Sequence, residues 1–138
     1  MIRLARSDDA EALASLAGEL GYPSTAEEMR SRLSRLSDDD AVYVAVSDGA
    51  VDAWIHVSIV LSLESGLYSQ INGLVVTESR RGKGIGEMLV RTAEDWARER
   101  KVDRLRVRTN VNRTRTHGFY ERCGFTHTKT SRVYEKKL

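Results

Sequence analysis

The sequence predicts an α/β chain, a single domain spanning residues 1–138 built on one sheet flanked by helices. Two observations predict it. Runs of β-branched residues with the period of a strand take turns with stretches whose apolar residues recur at the period of a helix. No linker, repeat or low-complexity stretch interrupts that order. At 138 residues the chain is long enough to bury roughly two-thirds of the surface its unfolded form exposes.

The elements follow in order. Ile2 and Leu4 read as a short strand running into Ser7-Asp8-Asp9, whose side chains suit the start of a helix. Leu13, Leu16, Ala17 and Leu20 give that helix one apolar face, and Gly21-Tyr22-Pro23 stops it with the only proline in the chain. Ser24 or Thr25 caps a second helix with Glu27 and Glu28 in its first turn and Met29, Leu33 and Leu36 on one face. Val42 to Val46 is a strand, and Asp48-Gly49 marks a tight hairpin into a return strand, Val51 to Leu63. A third strand, Ser69 to Val76, leads into a glycine-rich turn and then a helix carrying Ile85, Leu89, Ala93, Trp96 and Ala97 as an apolar stripe. Arg104 to Arg108 alternates with period two, Asn112 to Cys123 has room for one short helix ended by Gly124-Phe125, and two last strands are expected at Phe125 to Thr130 and Arg132 to Lys136.

Composition narrows the setting. One cysteine, Cys123, cannot form an internal disulfide, so nothing calls for an oxidising compartment. The first residues carry charge and lack the apolar stretch of a signal peptide, and no window approaches the ~18 consecutive apolar residues of a membrane span. A cytoplasmic protein without a membrane partner is the expectation. The formal charge is +2, too small to imply a nucleic-acid partner, although Arg104, Arg106, Arg108, Arg113 and Arg115 cluster. Three dispersed histidines and one cysteine offer none of the ligand spacings of a zinc site, so no metal is expected.

The chemistry concentrates in Val75-Val76-Thr77-Glu78-Ser79-Arg80-Arg81-Gly82-Lys83-Gly84-Ile85-Gly86. A buried strand ends, glycines follow, and an amphipathic helix begins. Such a helix start gathers unpaired N–H groups and the positive end of the dipole, which suits phosphate. Arg81 and Lys83 add full charges. The spacing of Gly82, Gly84 and Gly86 does not supply a Walker loop, and Glu87 stands where a dinucleotide fingerprint needs its third glycine.

The stretch resembles the acetyl-coenzyme A signature of the Gcn5-related N-acetyltransferase (GNAT) family: Arg or Gln, two residues, Gly, one residue, Gly or Ala. Arg81, Gly84 and Gly86 match it, with Gly82, Lys83 and Ile85 between them. Leu74-Val75-Val76 looks like the family's central strand, and Asn112, His117, Phe119-Tyr120-Glu121-Arg122 and Gly124-Phe125 resemble the segment beside the cofactor thiol. The specific motifs occupy residues 71 to 125. The resemblance implies a single mixed, mostly antiparallel central sheet flanked by helices, the acyl-CoA N-acyltransferase fold. It implies acetyl-coenzyme A as co-substrate, held by Leu74, Val75, Val76, the turn and Asn112, and transfer to a primary amine of a small molecule or peptide in a ternary complex. It also implies Tyr120 as donor to the coenzyme A sulfur, and a homodimer through the C-terminal strands.

Acetyl transfer needs a neutral amine, a polarised carbonyl and a proton for the thiolate. An alkylamine of pKa ~10.4 is about one part in a thousand neutral near pH 7, a handicap of roughly 4 kcal/mol that a base helps remove. Many members of the family carry a glutamate near the start of the central strand, where this chain has Asn72. Deprotonation then rests on water or another group, such as Glu78 or His56. Glu27, Glu28, Trp54 and His56 are candidates to line the acceptor cleft. Two other readings stay open: an acetyl-coenzyme A sensor without turnover, and a nucleic-acid-binding module on the arginine cluster, which lacks interleaved aromatics.

Overall fold

The computed structural model describes all residues, Met1–Leu138, which divide into two compact units, Met1–Val107 and Arg108–Leu138. The first unit holds a five-stranded sheet: β1 (Ile2–Leu4), β2 (Asp40–Ser47), β3 (Ala50–Ser62), β4 (Gly66–Val76) and β5 (Leu105–Val107), hydrogen-bonded in that order. The first three pairings are antiparallel and β4 with β5 is parallel, so the sheet is mixed and mostly antiparallel. Three helices accompany it: α1 (Ala10–Leu20), α2 (Ala26–Ser34) and α3 (Ile85–Glu99).

Local chemistry explains the boundaries. A short 3-10 turn, Ser7–Asp9, precedes α1, and Gly21 ends that helix in the left-handed region at φ 98°. Thr25 caps α2 through a capping box: its hydroxyl accepts from the Glu28 N–H at 3.0 Å, and the Glu28 carboxylate accepts from the Thr25 N–H at 2.9 Å. Asp48 and Gly49 take positive φ, 49° and 79°, the pair of angles a tight hairpin requires. β4 begins at Gly66, three residues before the expected start, because a turn at Glu64-Ser65 folds the chain directly from β3.

Register assigns the faces. Arg3 pairs with Val44 and Val44 with Trp54, and Arg3 is salt-bridged at 2.8 Å to Asp9 just before α1. Tyr43, on the other face, is influenced by Glu99 and Arg100 at the end of α3. The two helices therefore cover opposite faces. Leu13 of α1, Val44, Ile55 and Val57 of the sheet, and Leu89 and Val90 of α3 are fully buried between them.

Two features of β4 matter for the site. His56 pairs with Gly73 but Val57 pairs with Ile71, so Asn72 is an extra residue, a β-bulge. β5 pairs only with Ser69–Ile71, so from Asn72 to Val76 no strand of the sheet lies beside β4 on that side. The guanidiniums of Arg104 and Arg106 sit over the Tyr68 ring, 5.8 and 4.1 Å from its centroid. Arg104 also donates to the carbonyls of Ser65 and Leu67, which gives these members of the arginine cluster a structural use.

The second unit contains α4 (Thr114–Arg122). Gly124 at φ 95° closes it, with the Gly124 and Phe125 N–H groups donating to the Glu121 and Tyr120 carbonyls at 3.0 Å each. The expected strands Phe125 to Thr130 and Arg132 to Lys136 are not formed: residues 125–138 have no regular secondary structure. A strand needs a paired neighbour, and this unit offers none; between the two stretches stands only Ser131, without the Asn-Gly or Asp-Gly that would fold them into a hairpin.

Candidate functional site

The turn from β4 to α3 is built to expose backbone donors. Arg81 lies in extended backbone, and Gly82 and Gly84 lie in the left-handed region at φ 79° and 82°. A Cβ added at either would meet nothing within 4 Å, so the glycines are required for their angles and leave open space beside the backbone. Gly84 is the N-cap of α3 and offers no side-chain cap. The N–H groups of Ile85, Gly86 and Glu87 thus start the helix without an intrahelical or capping partner, a cradle for an anion.

The charges around it are arranged unequally. Arg81 Nε donates to the Val76 carbonyl at 2.9 Å and its Nη2 lies 3.9 Å from Glu19 Oε1. Lys83 is exposed and makes no ion pair, leaving its ammonium for a phosphate. Glu19, at the end of α1, also accepts from the Thr77 hydroxyl at 2.9 Å and the Glu78 N–H at 3.0 Å. That clamp fixes the chain as it leaves β4. Sequence reasoning missed it, because Glu19 looks like any exposed helical acid.

Next to the turn, Leu74, Val75 and Val76 pair with Ile55, Trp54 and Ala53 of β3 and keep their other edge free of the sheet. Trp54, His56 and Ser58 share a face with Val75, Gly73 and Gln70, their cross-strand partners. The Trp54 ring lies across Gly73 so closely that a Cβ there would stand 2.9 Å from two ring carbons. Asn72 Nδ2 donates to the Ser58 hydroxyl and its Oδ1 accepts from Gln70 Nε2, both at 2.8 Å. His56 Nε2 lies 2.9 Å from Asp40 Oδ1. Of the residues suggested for an acceptor cleft, Trp54 and His56 are brought together on this face, while the Glu28 carboxylate is occupied by its cap.

In the second unit, Tyr120 is 8% exposed and makes edge contacts with Phe119 and Phe125, at centroid distances of 5.1 and 5.4 Å. Burial, with a smaller contribution from Cys123, pushes its phenol up to about 12. The group stays protonated as a hydrogen-bond donor. His117 Nε2–H donates to the Asn110 carbonyl at 2.8 Å, and the Asn112 N–H donates to Asn110 Oδ1 at 2.9 Å. His117 thus braces the loop before α4, and the exposed Asn112 amide stays outside that helix.

The geometry is thus a mixed sheet with one strand half unpaired, followed by an uncapped glycine helix start. A family model described as the acetyltransferase (GNAT) family matches residues 9–125, and the chain belongs to that family. It is 31% identical over 96 residues to a streptothricin acetyltransferase of Escherichia coli, covering 69% of this chain and 55% of that one. The chain thus spans about half the length of that relative. It is 27% identical to an aminoglycoside N(6')-acetyltransferase type 1 of Klebsiella aerogenes, covering 100% of this chain and 97% of that protein. The fold is that of an aminoglycoside 6'-N-acetyltransferase of Acinetobacter haemolyticus, with TM-score 0.87 at 20% identity over 100% of this chain and 99% of that one. It is likewise that of the aminoglycoside N-acetyltransferase AAC(6')-Iy in complex with CoA, with TM-score 0.83 at 20% identity over the full length of both.

Proposed function

We propose that this acetyltransferase moves an acetyl group from acetyl-coenzyme A to a primary amine of a small molecule, by direct attack within a ternary complex. The observation that carries the reading is the run from Asn72 to Glu87: a strand edge unpaired in the sheet, then the turn of residues 77–84, then three uncapped N–H groups of α3. Under it, the N–H groups of Ile85, Gly86 and Glu87 and the Lys83 ammonium hold the pyrophosphate. Arg81 joins them on release from Val76, and the open edge of Leu74 to Val76 binds the pantetheine arm. When bound, acetyl-coenzyme A supplies an activated thioester.

Tyr120 is the donor for the departing sulfur. With its phenol near 12, complete transfer to a thiolate of ordinary pKa ~8.5 would run uphill by about 5 kcal/mol. Its role is therefore to donate a hydrogen bond while the amine's proton moves. The small-molecule class is supported by relatives named for aminoglycoside and streptothricin substrates. The homodimer is supported by residues 126–138, exposed throughout with Val133 and Tyr134 among them, a stretch free to pair with a second copy. Thiol release from acetyl-coenzyme A, assayed with aminoglycosides, polyamines, amino acids and peptides, tests the activity. Release above the buffer blank with at least one small-molecule amine is expected; tight CoA binding with no release for any acceptor would leave only a sensor.

A further inference from the structure

We infer that His56, oriented by Asp40, is the base that takes the proton from the acceptor's ammonium; the inference rests on the transferase reading above. The side chains on the face beside the open half of β4 decide it. Ser58, Gln70 and Asn72 satisfy one another by hydrogen bonds, and none of the three is a base near neutral pH. Trp54 carries only a donor. Asp52, two residues before Trp54, is engaged by the Ser47 hydroxyl and Arg80. His56 is the remaining polar group of the stretch, directly across the ladder from Gly73, at the point where the bulge separates the paired half of β4 from the open half.

The tautomer follows from its partner. Asp40 Oδ1 accepts from His56 Nε2 at 2.9 Å, while Asp40 Oδ2 accepts from the Ser37 N–H at 3.3 Å. An ionised carboxylate only accepts, so the proton of the neutral imidazole sits on Nε2 and the lone pair is left on Nδ1. Nδ1 has no partner within the chain, and the His56 side chain is 25% exposed. Val42, the cross-strand neighbour of His56, and Asp40 both line a cavity of about 370 Å³ that Leu4, Arg6, Arg30 and Leu33 help to enclose. Asp40 on β2 is the charged group in contact with the imidazole. Arg6 and Arg30 line the cavity beyond Asp40 and Val42, and Arg3, on the same face through Val44 and Trp54, is engaged with Asp9. β4 brings only Gln70, Asn72 and Gly73, and the buried side of α1 is Ala10, Leu13, Ala14, Leu16 and Ala17.

The step balances without any further reagent. The ammonium N–H bond breaks and its proton passes to Nδ1. The freed lone pair forms the C–N bond at the thioester carbon as the C–S bond breaks. The second nitrogen proton ends on the sulfur, and the imidazolium returns its own to water.

The test uses the full chain, with steady-state turnover of an aminoglycoside and of an alkyl diamine followed from pH 6 to 10. A general base contributes about 10²- to 10⁴-fold. H56Q is expected to lower kcat/KM at pH 7 by at least about 100-fold with CoA affinity unchanged. The deficit closes as pH rises toward the amine's own pKa of ~10.4, and added imidazole restores part of the rate. D40N is expected to fall in the same direction by at least about tenfold, since a neutral amide no longer fixes the tautomer. An H56Q rate within about threefold of wild type, or a deficit independent of pH and unmoved by imidazole, overturns the inference. Nitrogen-15 NMR of the imidazole tests the tautomer without any acceptor: a proton on Nδ1 in the neutral form overturns it too. Wild-type protein that releases no thiol above the blank overturns the transferase reading itself, which separates the two failures.

Discussion

Tyr120 shows how one environment sets both chemistry and stability. Its phenol, pushed up to about 12 by burial, holds a proton that the unfolded chain loses near its ordinary pKa of ~10. The folded state binds more protons between those values, so stability is whole below pH 10 and falls as pH rises toward 12, by about 1.4 kcal/mol per pH unit. Y120F is expected to lack that component of the alkaline slope, read from urea melts between pH 9 and 12. Its kcat should drop about 100- to 1000-fold, the range for losing one placed proton or hydrogen-bond donor, with CoA affinity unchanged by calorimetry. On the acid side, the Arg3 salt bridge and the Arg6 N–H hold the Asp9 carboxyl below the usual carboxylate range. D9N should lower the melting temperature at pH 7, and the difference from wild type should shrink as pH falls through the carboxylate range. The sequence displayed Tyr120 through its motif and Asp9 as a helix-start residue. The link from Arg3 to Asp9 was invisible, since it depends on the turn that brings β1 against α1.

Among the elements, β4 and its exit carry the proposed donor site, and two glycines there do different work. At Gly84 the φ of 82° and empty space around the position predict that G84A is strained only through its backbone, costing about 1 kcal/mol. It tilts the first N–H groups of α3 and is expected to weaken CoA binding by about tenfold in calorimetry. Gly73 is the opposite case: ordinary backbone, but a Cβ would collide with the Trp54 ring at 2.9 Å. G73A should lose about 1–3 kcal/mol as an overpacking change and alter the near-UV circular dichroism of Trp54. An unchanged melt and spectrum would show the ring moving aside freely. The glycine turn was legible from spacing, because Gly82-Lys83-Gly84 follows a β-branched run and opens an amphipathic helix. The bulge at Asn72 was not, since a one-residue slip in register leaves no mark on composition. The C-terminal strands Phe125 to Thr130 and Arg132 to Lys136 were expected as the last elements of a mixed α/β order, and a stretch without a pairing partner does not make a strand.

For the whole molecule, the sign and placement of charge bear on the donor more than the small net total does. Arg104 and Arg106 are engaged with Tyr68, and Arg81 with Val76, so the exposed Lys83 is the cation left open at the turn. Its attraction for phosphate acts through water and fades as the Debye length shrinks from about 10 Å at 0.1 M salt to about 3 Å at 1 M. The N–H groups of α3 act at contact and are screened far less. Binding to the folded state alone raises stability, by about 2.7 kcal/mol when CoA is a hundredfold above its Kd, which for a chain of this size lifts Tm by roughly 8–12 °C. That shift is expected for wild type at low salt and should shrink by about half or more at 0.5 M. K83A should start from a smaller shift and lose little of it with salt, because the charge that salt screens is already gone. Equal salt dependence in the two proteins would assign the long-range attraction to other cations and leave Lys83 as a bystander at the turn.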